Sequence, residues 1–345
     1  MKLSECPTRS NNLQLFRFVA SILVIVSHSF VISTGDASGE WLSWITNQQL
    51  SMGGLAVAVF FCAGGYLIAR SMDRIKDGRE YFKIRALRIF PALAIVILLS
   101  AFVLGPCMTE YRVQEYFSDI GVYRYLLNGV LILQHELPGV FQHNPYLATV
   151  NGSLWTLPVE FLCYVGCYVM WKIGFFAKKR AKYSVPIVAV GLAGVVALVK
   201  HLELSLELTS LVRPMILFYV GILFYIYREH ILLTKRGALL CAAGLILFNL
   251  FKLTNVGMVL CFPYLLMYLC FAVSQIPEKI GKSGNISYGV YLCAFPIQQL
   301  LVVLFGGRMH PAYNTFLAVP LSILGGYLLY LFVEEPVTKL ISRKK

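Results

Sequence analysis

The sequence predicts an all-α, polytopic integral membrane protein with about ten transmembrane helices, both termini cytoplasmic and residues 1–345 forming one membrane-embedded domain. Three observations carry that prediction. The chain is 58% hydrophobic and only 14% charged, with a mean hydropathy of +0.70, too apolar for a soluble domain. Its apolar runs alternate with clusters of Lys and Arg, as the positive-inside rule expects. Its first apolar run, residues 13–33, is long enough to cross a bilayer.

That first run is unusual in carrying Arg17 and His28. Eleven helical steps bring the two side chains within about 20° of one face and about 16 Å apart along the axis. An ionisable residue inside such a span faces protein or a wet cavity, not lipid. The polar N-terminal segment precedes a span that keeps its charges, so no cleaved signal peptide is expected.

The other elements follow in order. A polar segment, residues 34–49, contains Trp41 and Trp44, which suit a membrane–water interface. The second span, about 50–69, carries Gly53, Gly54, Gly64 and Gly65, small residues that allow close helix approach. Residues 70–88 hold seven Lys/Arg against three acids and form the strongest cytoplasmic marker; a third span follows at about 89–105. Residues 107–152 are long and mixed, and their apolar patch 125–133 is too short to cross, so a re-entrant or interfacial segment is expected. A span at about 154–173 leads to the basic cluster 178–182. Further spans are expected at about 183–199, 211–227, 237–250, 256–274, 286–305 and 315–333.

With the N-terminus inside, 23 of the 30 Lys and Arg fall in cytoplasmic segments and six in outer ones. This orientation puts Arg17 near the cytoplasmic surface and His28 deeper, toward the outer half. The net charge of +13 therefore reflects membrane topology, and no nucleic-acid partner is expected. Most of the nine cysteines are scattered through apolar runs, and they suggest neither a disulfide framework nor a metal site.

Three stretches could carry chemistry. The first is the Arg17/His28 stripe. The second is Arg85 and Arg88, one turn apart where the cytoplasm meets the third span. The third runs from Asn151 through Ser153, Trp155 and Thr156 to Glu160, a carboxylate about two turns into a span. Each also has a plainer reading. His28 could bond a neighbouring helix, and Arg17 could snorkel to headgroups. Arg85 and Arg88 could be topological anchors, Glu160 could pair with a cation, and Trp155 could be an interfacial anchor. His135, His143, His201, His230 and His310 lie in loops or near span ends and receive no role.

Taken together these motifs resemble acyltransferase family 3, ten-span membrane enzymes that mostly O-acetylate bacterial surface glycans. The family's Arg followed eleven residues later by His matches Arg17 and His28. Its Arg-x-x-Arg matches Arg85 and Arg88, and its Ser-Leu-Trp-(Ser/Thr)-Leu-x-x-Glu matches Ser153 through Glu160. Its late Ile-Ser-Tyr-Gly-x-Tyr-Leu matches residues 286–292, and its terminal Glu-x-Pro resembles Glu334-Glu335-Pro336. Two positions depart from the pattern. The second span reads Cys62-Ala63-Gly64-Gly65 where the family commonly has Ser-Gly, and Cys293-Ala294 stands where Trp-His often follows. The second departure leaves His28 as the one strong intramembrane base.

The resemblance implies an O-acetyltransferase in the inner membrane of a bacterium. It would move acetyl from cytoplasmic acetyl-CoA to a hydroxyl of a surface polysaccharide, such as lipopolysaccharide, or of a lipid-linked sugar, without a metal. Acyl transfer needs a base in the range where His titrates and cations for the donor's phosphates. His28 is accordingly expected as general base, with Glu160 and Arg17 in the catalytic set. Arg85, Arg88 and Arg17 are expected to bind acetyl-CoA, and Ser153, Trp155 and Glu160 the acceptor. The identity of the acceptor, and direct transfer against an acetyl-histidine, stay open. The rival reading is a flippase or transporter for a lipid-linked sugar; it leaves the aligned cytoplasmic arginines and intramembrane His unexplained, and no repeat or paired broken helix supports it.

Overall fold

A computed structural model describes residues 1–7, 11–75, 77–174, 208–274 and 286–342. Among them no strand forms. The principal helices are α1 (Leu13–Thr34), α2 (Met52–Met72), α3 (Gly78–Leu99), α4 (Thr156–Lys172), α5 (Leu208–Ile226), α6 (Lys235–Leu250), α7 (Thr254–Leu260), α8 (Phe262–Phe271), α9 (Ser287–Leu304), α10 (Pro311–Leu329) and α11 (Glu335–Ser342). Among the described residues six helical stretches are long and apolar enough to cross a bilayer: Leu13–Thr34, Met52–Met72, Gly78–Met108, Gly152–Lys172, Ser287–Leu304 and Pro311–Leu340. A seventh arises if α7 and α8, bent by 46° at Cys261 ahead of Pro263, count as one. The protein is a polytopic membrane protein.

Six or seven is fewer than the expected ten. The expected span at 183–199 and the basic cluster 178–182 lie outside the described residues. The stretches at 211–227 and 237–250 do fold as apolar helix, Leu211–Ile226 within α5 and the 16-residue α6, each shorter than the six. The expected third span proves longer than its apolar run, because the helix starts at Gly78 within the basic segment. Arg85 and Arg88 therefore stand two to three turns inside α3 rather than ahead of it.

The described residues gather into two compact units. The first comprises Met1–Phe16, Val57–Tyr81 and Val159–Lys282; the second comprises Arg17–Ala56, Phe82–Pro158 and Ser283–Lys345. In the first, α2 and α5 meet backbone to backbone. A Cβ on Gly65 would strike the Phe218 carbonyl, and one on Gly221 would strike the Cys62 carbonyl, the close approach that small residues permit. Aromatic packing surrounds the seam: Tyr66 stands edge-on to Tyr225 at 5.5 Å and tilts against Phe271 at 5.1 Å.

In the second unit, α9 and α10 pack with Gly289 against Gly326, whose Cα would lie 2.9 Å from a Cβ at residue 289. The second unit's apolar core holds Ile25 and Ile32 of α1 with Val290, Ala294, Phe295, Leu301 and Val302 of α9. Two π-helical turns interrupt its long helices. One, Ser100–Leu104, follows α3, and the other, Tyr330–Glu334, follows α10. Tyr116 donates to the Ala101 carbonyl at 2.7 Å, so the widened backbone of the first π turn gains a partner.

Between α1 and α2 the short helix Trp41–Ile45 presents Trp41 and Trp44 largely exposed, as an interfacial anchor requires. The preceding Glu40 is fully buried. It accepts from Ser27 Oγ at 2.6 Å and from the Met52 backbone N–H at the start of α2. Residues 125–133 do not cross: they form the end of a short helix, Ile120–Tyr125, and a 3₁₀ turn, Leu126–Val130.

Candidate active site

Arg17, His28, Arg85, Arg88, Ser153 and Trp155 all belong to the second unit. His28 projects from α1 into its core, and its imidazole stands edge-on to the Phe295 ring at 5.1 Å. Phe295 is itself 2% exposed and is braced by Tyr146 at 6.0 Å. Gly152 completes this wall, since a Cβ there would come within 2.9 Å of the Phe295 ring. The buried His28 Nδ1 has no hydrogen-bond partner among the described residues. An unmatched nitrogen inside an apolar wall costs free energy, and a substrate hydroxyl or an orienting group is what would repay it.

The depth and rotation of α1 at His28 are fixed by a polar knot that sequence reading missed. Gln298 of α9 is fully buried and donates to the Ile25 carbonyl at 2.8 Å, Ser29 Oγ at 2.7 Å and Asn314 Oδ1 at 3.0 Å. Asn314 of α10 returns a bond to the Gln298 carbonyl at 3.1 Å, and Thr315 donates to Ser29 at 2.8 Å. Three helices are thereby tied together at the residue next to His28. In sequence these are isolated amides and hydroxyls with no shared spacing, so no signal distinguished them.

The cationic end of the site gathers differently from expectation. Arg85 is 5% exposed, whereas Arg88 is exposed, so the two arginines one turn apart face different surroundings. Arg88 and Arg17 both act electrostatically on Glu334, which closes the second π turn. The Glu334 Oε1 is buried and has no hydrogen-bond partner among the described residues. Cations of α1 and α3 thus lie within electrostatic reach of one carboxylate. The Glu334-Glu335-Pro336 motif was the signal for it, although it carried no role in the sequence. Tyr288 of α9 donates to the Ile89 carbonyl at 2.9 Å, anchoring α3 one residue beyond Arg88.

The re-entry after the outer segment is a buried turn. Asn151 caps the 3₁₀ turn Gly152–Trp155, accepting from the Ser153 N–H at 3.2 Å and the Ser153 hydroxyl at 2.6 Å. Its amide donates to the Leu292 carbonyl at 3.0 Å. The Tyr291 hydroxyl bonds the Ser153 carbonyl and lies 2.7 Å from Thr156 Oγ1. Ser153 is 1% exposed, with its hydroxyl engaged by Asn151, while Trp155 is half-buried. Tyr288 and Tyr291 both hold backbone of the second unit, at Ile89 and Ser153. Glu160 belongs to the first unit, where its carboxylate accepts from the Tyr164 hydroxyl one turn along α4. Among the described residues no group of three or more His, Cys, Asp and Glu gathers as a metal site.

The second unit thus carries an imidazole with an unmatched nitrogen on α1 and arginines on α1 and α3, groups of the kinds that proton transfer and anion binding use. The profile of acyltransferase family 3, described as an acyltransferase domain, matches residues 10–331. The chain belongs to that family and is an acyltransferase. It is 26% identical over 300 residues to an O-acetyl transferase of Shigella phage Sf6, covering 85% of this chain and 86% of that protein. It is 28% identical over 192 residues to nodulation protein 10 of Rhizobium leguminosarum bv. viciae, covering 52% of this chain and 49% of that protein. No solved structure matches it.

Proposed function

We propose that the protein is an O-acetyltransferase of a bacterial inner membrane, carrying acetyl from cytoplasmic acetyl-CoA to a hydroxyl of a surface polysaccharide or lipid-linked sugar. On this reading residues 1–345 form one domain of ten spans with both termini cytoplasmic. The observation that carries it is the His28 imidazole, buried against Phe295 with Nδ1 unmatched, on the same helix as Arg17. The Sf6 relative's printed activity supports the choice of acetyl and of an oxygen acceptor.

The chemistry is general-base acyl transfer. His28 takes the proton of the acceptor hydroxyl while that oxygen bonds to the thioester carbon. The carbon–sulfur bond then breaks, and CoA leaves as a thiolate that takes up a proton. Arg85, Arg88 and Arg17 bind the donor's phosphates, since guanidinium groups match phosphate oxygens in paired hydrogen bonds. Trp155 binds the acceptor, with Ser153 shaping the turn that presents it.

Membranes carrying the wild type or His28→Ala, supplied with labelled acetyl-CoA and the host's surface glycan, test the proposal. Label should enter glycan and free CoA should appear only with the wild type. Transfer at the wild-type rate by His28→Ala would overturn the assignment. Lipid-linked sugar crossing the membrane with no CoA released would instead favour a flippase.

A further inference from the structure

The first unit contains a cavity of about 460 Å³ that acyl transfer does not use, within the size range of small-ligand sites. It lies where α2, α4 and α5 all end, at Met72, Lys172 and Ile226. Arg70, Arg74, Lys172 and Arg228 flank these ends in sequence, which marks a membrane–water boundary. The floor is apolar: Ala69, Met72, Cys167 and Ile222 line it and are all buried.

The mouth carries both signs of charge. Asp73 Oδ2 accepts from the Tyr225 hydroxyl at 2.6 Å and lies 3.7 Å from an Arg228 guanidinium nitrogen. Arg228 also stands 4.0 Å over the Tyr225 ring and donates to the Tyr225 carbonyl at 2.8 Å. The Asp73 side chain remains 59% exposed and that of Arg228 30% exposed, so each keeps surface for a ligand. Three helix C-termini add terminal carbonyls and partial negative charge beside Asp73. A partly exposed carboxylate, a partly exposed guanidinium 3.7 Å from it and an apolar floor beneath fit a zwitterionic amphiphile.

We propose that this cavity binds a phospholipid of the phosphatidylethanolamine class. Its primary ammonium would donate to Asp73 and the helix-end carbonyls, and its phosphate would accept from Arg228. A quaternary ammonium has no N–H to give these acceptors, and an anionic glycerol headgroup would meet Asp73 with like charge. The lipid would tie the three helix ends together at the bilayer surface, independently of the transfer chemistry.

Native mass spectrometry of the delipidated full-length protein decides this, with equal concentrations of phosphatidylethanolamine, phosphatidylglycerol and phosphatidylcholine. One phosphatidylethanolamine should be retained with about tenfold preference over either competitor. Asp73→Asn should erase that preference. Ala69→Leu, which fills the floor and leaves the charges, should abolish retention, with helicity by circular dichroism confirming a folded protein. Equal retention of the three lipids by the wild type overturns the proposal without reference to any variant. So does retention at wild-type strength in folded Ala69→Leu.

Discussion

The surroundings of His28 and the α2–α5 seam are both buried helix contacts, and they are built by opposite rules. At the seam, Gly65 and Gly221 each seat against a carbonyl of the other helix, and aromatic rings close the flanks. Around His28 the helices are held by a polar knot, while His28 Nδ1, and Glu334 Oε1 nearer the cationic end, stay unmatched. Gln298 Oε1 within the knot is unmatched as well, so what sets the proposed site apart from the seam is the titratable His28 nitrogen left without a partner among the described residues. Substitutions should therefore separate the two regions by which measurement they move.

The largest effect should come from His28→Ala. Loss of the base should lower acetyl transfer by about 10²–10⁴-fold, while the thermal melt of purified protein shifts little, because no hydrogen bond to Nδ1 is lost. Gly65→Leu should do the reverse. Its side chain has no room before the Phe218 carbonyl, so helix seating suffers by about 1–3 kcal/mol. Its signature is a lowered melt and folded yield, with near-normal turnover in whatever fraction folds. A Gly65→Leu protein that melts like the wild type would dissolve the contrast.

Gln298→Ala sits between the two. Its amide makes three hydrogen bonds across α1 and α10, and such bonds within membranes are worth about 0.6 kcal/mol each. A loss of about 1–2 kcal/mol is expected in the melt. Because α1 is pinned there one residue from His28, turnover should also fall, by about tenfold, with the KM for acetyl-CoA unchanged. An unchanged turnover would make the knot a purely structural device.

The sequence made the helical membrane fold legible, and singled out the candidate site residues, for a clear physical reason. Apolar runs, basic clusters and charges inside spans are local signals, and Arg17, His28, Arg85 and Arg88 were all found by them. What stayed hidden is what depends on three dimensions. The helix start at Gly78 draws Arg85 and Arg88 inside α3, although the apolar run begins later. Gln298, Asn314 and Ser29 meet only once three helices pack. Glu334 gains its meaning from Arg17 and Arg88, cations over two hundred residues away in the chain. The loop between α1 and α2 read as polar and interfacial, which holds for Trp41 and Trp44 and fails for the buried Glu40.

Glu40 supplies the smallest effect and refines the contrast within the second unit. Burial raises its pKa above the usual carboxylate value, while its bonds to Ser27 and the Met52 N–H pull the other way without cancelling it. The folded state therefore holds the proton more tightly than the unfolded chain, whose value is about 4.3. By linkage, this group makes the protein more stable as pH falls from neutrality through the raised value toward 4.3, and less stable as pH rises through the same window. Glu40→Gln removes the titration, so its melting temperature plotted against pH should be flatter than the wild type's over that window. Parallel curves for the two proteins would mean that Glu40 behaves as a satisfied cap of α2, and the rule of unmatched groups would then stop at the site itself.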